Sequence, residues 1–265
     1  GPKPLLLIVD DNKEILHSLA DSFAEEVDTL TANDGREGLA TALDKTPDII
    51  FSLLLFPFMD GNKMCRMLKS DIRTSHIPII LLTAKDSLEA KEEGYDSGAD
   101  SYITKPFTHS LLSSRIKNLL LQRKRSLQAI NNSQTTDLSE KKELLRESLN
   151  NLDQEFFDKM NKIIEENISG DVDVNLLSTK LAMSTSTLYR KMKSMTGIST
   201  NEYIRKYKMQ YAEHLLLEGK YTISEISFMV GMNSIAYFRK CFKDEYGLIP
   251  SEYLKKLKSE NEGNE

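Results

Sequence analysis

The chain has 265 residues, with 35 Lys and Arg against 40 Asp and Glu, so its formal net charge is −5. That length is enough for two domains with separate cores, and every apolar run is shorter than a membrane-spanning helix. The acidic balance excludes a uniformly basic nucleic-acid-binding protein, so any positive surface must come from cations placed on one face. Cys65 and Cys241 lack metal-ligand spacing and are predicted to be core thiols in a reducing cytoplasm.

The first 121 residues alternate short apolar runs with amphipathic stretches. This alternation is typical of a parallel sheet covered by helices on both faces. The predicted strands are Leu5–Val9, Val27–Ala32, Ile49–Leu54, Ile79–Leu82 and Ser101–Ile103. The predicted helices are Lys13–Phe23, Gly35–Lys45, Lys63–Ser70, Ser87–Ser97 and Thr108–Gln122.

Polar residues follow three of these strands, at the edge where a parallel sheet carries its functional groups. Asp10 and Asp11 follow the first strand, Thr83 the fourth and Lys105 the fifth. This pattern and its intervals resemble the receiver domain of two-component response regulators, over residues 4–122. The resemblance implies a flavodoxin-like α/β fold with a five-stranded parallel sheet. It also implies a pocket in which paired acids bind Mg²⁺, a third-strand aspartate accepts a phosphoryl group, and Thr83 and Lys105 contact the phosphate.

The position of that acceptor aspartate is occupied by Leu53, within the segment PDIIFSLLLFPFMDG. Leucine offers neither a nucleophile nor an anionic ligand, so we predict a degenerate receiver that is not switched by phosphorylation at this position. Mg²⁺ binding at Asp10 and Asp11 is possible but weak, and no cofactor is required. The alternative is that both acids are solvated loop residues. The apolar run from Leu53 to Phe58 either fills the pocket, which we favour, or forms a contact surface.

The receiver resemblance also implies a switch. It assigns Thr83 and Tyr102 as the pair that links the pocket to a surface through which receivers dimerise. The alternative, from the sequence alone, is that Tyr102 is an ordinary aromatic residue on an edge strand. The resemblance further implies a cis peptide at Lys105–Pro106, whereas sequence alone favours trans.

A polar stretch, residues 123–151, follows the receiver-like segment and is predicted to be a linker. Its least structured part is predicted to be Asn131–Thr136. Such a linker would permit several relative orientations of the two flanking domains.

Two helices joined by a tight turn are predicted near the carboxyl end. Thr222 and Glu225 form a capping box at the start of the first helix, and Gly231 stands where that helix ends in a left-handed residue. The second helix runs over Ser234–Tyr246. Two short helices with a glycine-containing turn predict a helix-turn-helix unit.

The second helix of this unit has two chemically different sides. Ile235, Phe238, Phe242 and Tyr246 form the apolar side. The polar side and its flanks carry Asn233, Ser234, Ala236, Tyr237, Arg239, Lys240 and Lys243. Small residues and amides let a helix enter the major groove, and cations meet phosphates or guanine edges. The same pattern is also typical of a solvated basic face on a surface helix.

The sequences SEISFMVGMN and AYFRKCFKDEYGLIPSEY resemble the AraC-type DNA-binding domain, over residues 152–258. The resemblance implies an all-α domain with two helix-turn-helix units. The upstream unit is predicted between Asp173 and Gly197, and its DNA-facing residues are Ser186, Tyr189, Arg190 and Lys193. A connecting helix ending at Glu218 would span close to 30 Å, near the roughly 34 Å of one DNA turn. The two recognition helices would then enter adjacent major-groove segments.

Together these patterns predict a sequence-specific transcription regulator of a two-component system, hybrid in organisation, and not an enzyme. Its predicted partners are double-stranded DNA, a second copy bound through the receiver, and a histidine kinase upstream in the same polypeptide, with no small-molecule substrate. We expect a cytoplasmic location, including the cytoplasmic end of a larger membrane-anchored protein. Residues 259–265 form an acidic tail. The alternative is a protein-interaction scaffold that has a receiver-fold dimerisation module and weak or no specific DNA binding.

Overall fold

The computed structural model describes residues 3–54, 59–84, 88–132 and 149–262. The apolar residues 55–58, most of the predicted linker and the end of the acidic tail lie outside the described residues. The chain divides into two compact units. The first comprises Gly1–Phe156 and Ser186–Gly197, and the second comprises Phe157–Thr185 and Ile198–Glu265.

A five-stranded parallel sheet forms the centre of the first unit, in the order β2-β1-β3-β4-β5. Its strands are β1 (Leu5–Val9), β2 (Asp28–Ala32), β3 (Ile49–Leu53), β4 (Ile79–Thr83) and β5 (Ser101–Thr104). Residues of the middle strands are almost entirely buried, as expected for a parallel sheet with both faces covered. The predicted α/β architecture is confirmed.

Helices cover both faces of this sheet. They are α1 (Lys13–Phe23), α2 (Gly35–Lys45), α3 (Gly61–Lys69), α4 (Leu88–Asp96) and α5 (His109–Asn132). One core packs Met64, Cys65 and Leu68 of α3 against the sheet, and the core on the other face includes Phe23 and Leu112. The side chains of Asn12, Asp34 and Asp60 cap the amino ends of α1, α2 and α3.

Two sequence-based predictions in this unit are wrong. Helix α5 continues to Asn132, ten residues beyond the predicted end at Gln122. The stretch RKRSLQAI contains neither Gly nor Pro, so its polarity does not interrupt a helix. His76, for which the sequence predicts a surface or boundary position without a catalytic partner, is fully buried because the segment between α3 and β4 enters the core beside Ile77.

The carboxyl half of the chain is helical. Its helices are α6 (Asn151–Glu166), α7 (Val174–Lys180), α8 (Thr185–Thr196), α9 (Thr200–Glu218), α10 (Ile223–Met229), α11 (Ile235–Tyr246) and α12 (Pro250–Glu262). Helix α8 packs within the first unit, and helices α7 and α9 to α12 belong to the second. No helix among the described residues is long and apolar enough to cross a membrane.

The core of the second unit is built around the apolar side of α11. The Phe242 ring is fully buried, with its centroid 4.7 Å from that of Tyr246, 5.5 Å from that of Tyr253 and 6.1 Å from that of Phe238. Ile235 was predicted to join this side but is 37% exposed, because it is the first residue of the helix and lies at the rim of the core.

Polar contacts anchor α9 to its neighbours in the same unit. The Tyr203 hydroxyl donates to Asn161 of α6 at 2.7 Å, and Lys206 pairs with Glu245 of α11 at 2.9 Å. Burial raises the pKa of Tyr203, so this hydroxyl stays protonated and remains a donor. These contacts join α9 to helices that precede and follow it in the chain.

Replacing Phe242 with Ala should lower the free energy of unfolding of the second unit by about 3–5 kcal/mol, because a fully buried ring is lost and a cavity remains. Phe228→Ala is the matched control, since Phe228 is 71% exposed on α10 and its loss should change that free energy by less than about 0.5 kcal/mol. Denaturant unfolding followed by tyrosine fluorescence measures both. Equal losses in the two variants would contradict this description of the core.

Candidate nucleic-acid interface and receiver pocket

The carboxyl edge of the sheet carries the predicted receiver pocket. The strand order changes direction at β1, so a crevice is expected where β1 and β3 end side by side. Asp10 directly follows β1, Leu53 is the last residue of β3 and Thr83 is the last residue of β4. The sheet register therefore brings the predicted pocket residues to one edge, with a leucine among them.

Asp10 is the buried acid of this pocket and is only 5% exposed. Burial raises its pKa, although the backbone N–H of Asn12 donates to its Oδ1 at 2.9 Å and the Lys105 charge acts in the opposite direction. The hydrogen bond and the Lys105 charge therefore do not fully offset the free-energy cost of burying the ionised Asp10 carboxylate. A cation bound beside it would offset more of that cost. Asp11 is exposed.

Leu53 is half-buried, and its backbone is held closely in place. The Ser52 hydroxyl donates to the Leu53 carbonyl oxygen at 2.8 Å, and a Cβ added to Gly61 would come within 2.6 Å of that oxygen. Mg²⁺ prefers an octahedral shell of oxygen ligands, and Leu53 contributes none from its side chain. Within the described ranges, no three His, Cys, Asp or Glu side chains are grouped to hold a metal ion. The residues present thus supply only part of a Mg²⁺ site.

The remaining pocket residues differ in exposure. Thr83 is buried, whereas the Lys105 side chain is exposed and its backbone N–H donates to the Thr83 carbonyl at 2.7 Å. The Lys105–Pro106 peptide is cis, as predicted. Tyr102 of β5 is 9% exposed and packs against α4, where a Cβ added to Gly94 would come 2.6 Å from its ring. The glycine therefore makes room for this aromatic side chain.

The helix-turn-helix of the second unit has the predicted local structure. Thr222 and Glu225 form the capping box of α10, and Ser234 caps α11 by accepting from the Tyr237 backbone N–H. Gly231 has a φ of +71°, and a Cβ there would come 2.8 Å from the Ile168 carbonyl oxygen. Backbone conformation and close packing both require glycine in this turn.

Helix α11 presents its polar side to solvent. Phe238, Cys241 and Phe242 are buried on the opposite side. The exposed residues include the complete predicted set: Asn233, Ser234, Ala236, Tyr237, Arg239, Lys240 and Lys243. A continuous surface of cations, amides and small side chains is chemically suited to a nucleic-acid groove.

Helix α8, the predicted first recognition helix, has the expected apolar side, with Leu188, Met192 and Met195 buried. Of its predicted DNA-facing residues, Arg190 is half-buried, and the exposed ones are Ser186, Tyr189 and Lys193. The Arg190 guanidinium donates from Nη1 to the Asp44 carbonyl oxygen at 2.9 Å, within the first unit.

Sequence reasoning missed Lys191, which is fully buried in the first unit. Its ammonium lies 2.8 Å from the Asp153 carboxylate, and the two side chains are 0% and 3% exposed. A signal was present, because Lys191 falls three residues after Leu188 and next to Met192, within the apolar stripe of the helix. A lysine in such a stripe indicates a buried ionic partner.

Comparison with known proteins divides the chain into two matched segments. Residues 6–117 match the response regulator receiver domain family, and residues 177–256 match a helix-turn-helix domain family. Histidine kinase P4 of Formosa agariphila is 36% identical over 252 residues, which cover 95% of this chain and 18% of that kinase.

Two further relatives each cover about half of the chain or less. The DNA-binding dual master transcriptional regulator RpaA of Synechocystis is 37% identical over 132 residues, 49% of this chain and 55% of that regulator. A solved structure of the chemotaxis protein CheY4 of Vibrio cholerae is 30% identical with a TM-score of 0.43, covering 44% of this chain and 99% of that one. This chain thus spans less than two thirds of either the kinase or RpaA.

Asp10→Asn should stabilise the first unit at neutral pH. The folded state raises the Asp10 pKa, so it binds the proton more tightly than the unfolded state and is penalised once the carboxyl ionises. The advantage of the variant should therefore shrink as the pH falls through the folded pKa and vanish below the unfolded value of about 3.9. Unfolding by denaturant in metal-free buffer across this range measures it. Asp11→Asn, at an exposed site, should show little change; a variant destabilised at pH 7 would contradict the assignment.

Proposed function

We propose that this chain, which joins a response regulator receiver domain to an AraC-type helix-turn-helix domain, is a sequence-specific DNA-binding transcription regulator of a two-component system. The observation that carries the proposal is the fully exposed polar side of α11. Every predicted DNA-facing residue of that helix reaches solvent, while its apolar side is buried.

Charge placement supports this function despite the acidic net charge. Arg239, Lys240 and Lys243 are all exposed on α11, and Tyr237 beside them is 51% exposed. Such cations neutralise backbone phosphates, and an arginine or lysine can donate to guanine O6 and N7. A local basic surface of this kind suffices for binding because phosphate contacts act over short distances in physiological salt.

The connecting helix supports a two-site arrangement on DNA. Helix α9 has 19 residues, which corresponds to about 28 Å at about 1.5 Å per residue. One turn of duplex is roughly 34 Å long. We infer that α8 and α11 contact adjacent major-groove segments when the protein is bound.

We infer that aspartyl phosphorylation at position 53 does not switch this regulator. Leu53 has no oxygen that could attack a phosphoryl donor, so no acyl phosphate can form on its side chain. The remaining acids, Asp10 and Asp11, would hold Mg²⁺ weakly, because a third carboxylate is missing and Asp11 is exposed to water. No cofactor is needed for the function proposed, and the chain acts as a binding protein rather than an enzyme.

The longer relatives bear on the proposed setting. Nearly the whole chain aligns within 18% of a protein named as a histidine kinase, so we propose a hybrid system with the kinase in the same polypeptide and this segment on the cytoplasmic side. A homodimer through the receiver remains part of the proposal. An alternative function is a scaffold with weak specific binding, favoured by one observation, the packing of α8 within the receiver-containing unit.

The test of this function is selection from a random duplex pool with the full chain. A regulator should enrich one sequence class, and its affinity for that duplex should fall steeply and linearly with the logarithm of salt concentration. Binding without enrichment, or binding that does not respond to salt, would favour the scaffold instead.

Lys240→Ala should weaken binding to the selected duplex and reduce the salt slope by about one if Lys240 contacts a phosphate. Lys255→Ala is the matched control, because Lys255 is an exposed lysine of α12 that lies outside the predicted interface. Fluorescence anisotropy at several salt concentrations measures both.

Arg190→Ala, on helix α8, should weaken binding to the same duplex as well. Affinities unchanged in both Lys240→Ala and Arg190→Ala would show that the recognition helices are misplaced.

Leu53→Asp should restore a phosphoryl acceptor at the end of β3. With acetyl phosphate and Mg²⁺, this variant should form an adduct that hydroxylamine removes, whereas the unchanged chain should form none at this position. Leu53→Asn is the control, since it adds a polar group of the same shape without a carboxylate nucleophile. Mass spectrometry of the intact chain measures the adduct. Phosphorylation of the unchanged chain at the carboxyl edge of the sheet would refute the proposal.

A further inference from the structure

A buried ionic cluster fixes helix α8 within the first unit. The Lys191 ammonium lies 2.8 Å from Asp153 Oδ1, 2.5 Å from the Ile72 carbonyl oxygen and 3.2 Å from Ser75 Oγ. These three acceptors match the three donors of a lysine ammonium. The cluster is therefore a satisfied polar network in which neither charge is left without a partner.

The cluster joins parts of the chain that are far apart in sequence. Ser75 lies between α3 and β4, Asp153 lies in the first turn of α6, and Lys191 lies in α8. The Ser75 hydroxyl donates to Asp153 Oδ1 at 2.7 Å, and the Asn150 side-chain amide donates to the Ser75 carbonyl oxygen at 3.0 Å. A buried charge pair is costly unless its geometry is met, so the network specifies one position for α8.

The predicted DNA-facing side of α8 borders a cavity in this position. Tyr189, Arg190 and Lys193 line one wall of a cavity of about 480 Å³. Arg190 is held there by its hydrogen bond to the Asp44 carbonyl oxygen. The facing wall includes Lys45 and Asp48 of the receiver domain, with Lys3 and Lys124 from the segments that flank it.

This cavity is too small for DNA. A recognition helix lies in a major groove about 12 Å wide and about 8.5 Å deep, with the rest of the duplex beyond it. A space of about 480 Å³ whose facing wall is the receiver leaves no room for a duplex against this side of α8. The receiver and a duplex therefore cannot both occupy the space in front of Tyr189 and Arg190.

We propose that the receiver domain competes with DNA for α8, and that Lys191, Asp153 and Ser75 form the latch that holds the helix on the receiver. The proposal rests on the proposed function and names the regulation of the same site. DNA binding through α8 then requires release of the latch. The apparent affinity for DNA equals the affinity of the open form multiplied by the fraction of molecules in which the latch is open.

The first part of the test asks whether Lys191 is covered in the full chain without DNA. Amine acetylation followed by peptide mass spectrometry compares Lys191 with Lys193, its exposed neighbour on the same helix. Lys191 should react roughly tenfold more slowly if the latch is closed about nine-tenths of the time. Ser75→Arg should remove this protection, because its guanidinium would lie against the Lys191 ammonium. Ser18→Arg adds the same group at an exposed position of α1 and should leave the protection unchanged.

The second part measures binding to the duplex enriched from the random pool. Ser75→Arg should bind roughly tenfold more tightly than Ser18→Arg, since opening the latch raises the fraction of molecules that can bind DNA from about one tenth to nearly all. If Ser75→Arg does not fold, as judged by circular dichroism, Ser75→Ala replaces it. That variant deletes the hydroxyl between Lys191 and Asp153 without adding bulk, and should shift both measurements in the same direction by a smaller factor.

The outcomes separate this inference from the proposed function. Equal reactivity of Lys191 and Lys193 in the unchanged chain would overturn the latch. Protected Lys191 with no gain in affinity in the Ser75 variants would overturn the competition, while specific DNA binding by the unchanged chain would leave the proposed function intact. If neither the unchanged chain nor any variant binds duplex DNA, the proposed function is wrong, and so is the proposed competition.

Discussion

The burial of one side of α11 is the interaction on which the proposed nucleic-acid interface depends. Phe238 and Phe242 pack into the core of the second unit, and this fixes the rotation of the helix about its own axis. Residues on the other side, such as Lys240, then have no direction available except toward solvent. Loss of that core would therefore remove the interface without altering any residue in it.

The receiver domain has the expected architecture and carries a leucine at the position where the receiver resemblance implies the acceptor aspartate. The strand order, the cis peptide before Pro106 and the buried Asp10 are all present, and Leu53 occupies the end of β3. A domain of this kind can still present surfaces to other parts of the chain, because those surfaces are formed by packing rather than by the pocket. Under the competition proposed above, its role would be mechanical, namely to hold or release helix α8.

Sequence patterns gave most of the fold because the periodicities were strong and the caps were explicit. The first strand ends at Val9 as predicted, and the third and fourth strands end within one residue of their predicted ends. The caps of the second helix-turn-helix were also placed correctly. Long-range packing was not accessible in the same way. Lys191 was overlooked because its partners, Asp153 and Ser75, lie 38 and 116 residues away, and hydrophobic periodicity carries no information about such pairs. The extension of α5 was missed because polarity was equated with a linker.

Helix α3 connects the close approach of Gly61 to Leu53 with the buried Lys191 cluster. The helix begins with Gly61 against the Leu53 carbonyl oxygen at the carboxyl edge of the sheet, and it ends at Lys69, three residues before Ile72. Its nine residues make a rod of about 14 Å. Ile72, whose carbonyl oxygen accepts from the Lys191 ammonium, follows this helix closely in the chain, so a single short helix connects the end of β3 with the segment that receives Lys191.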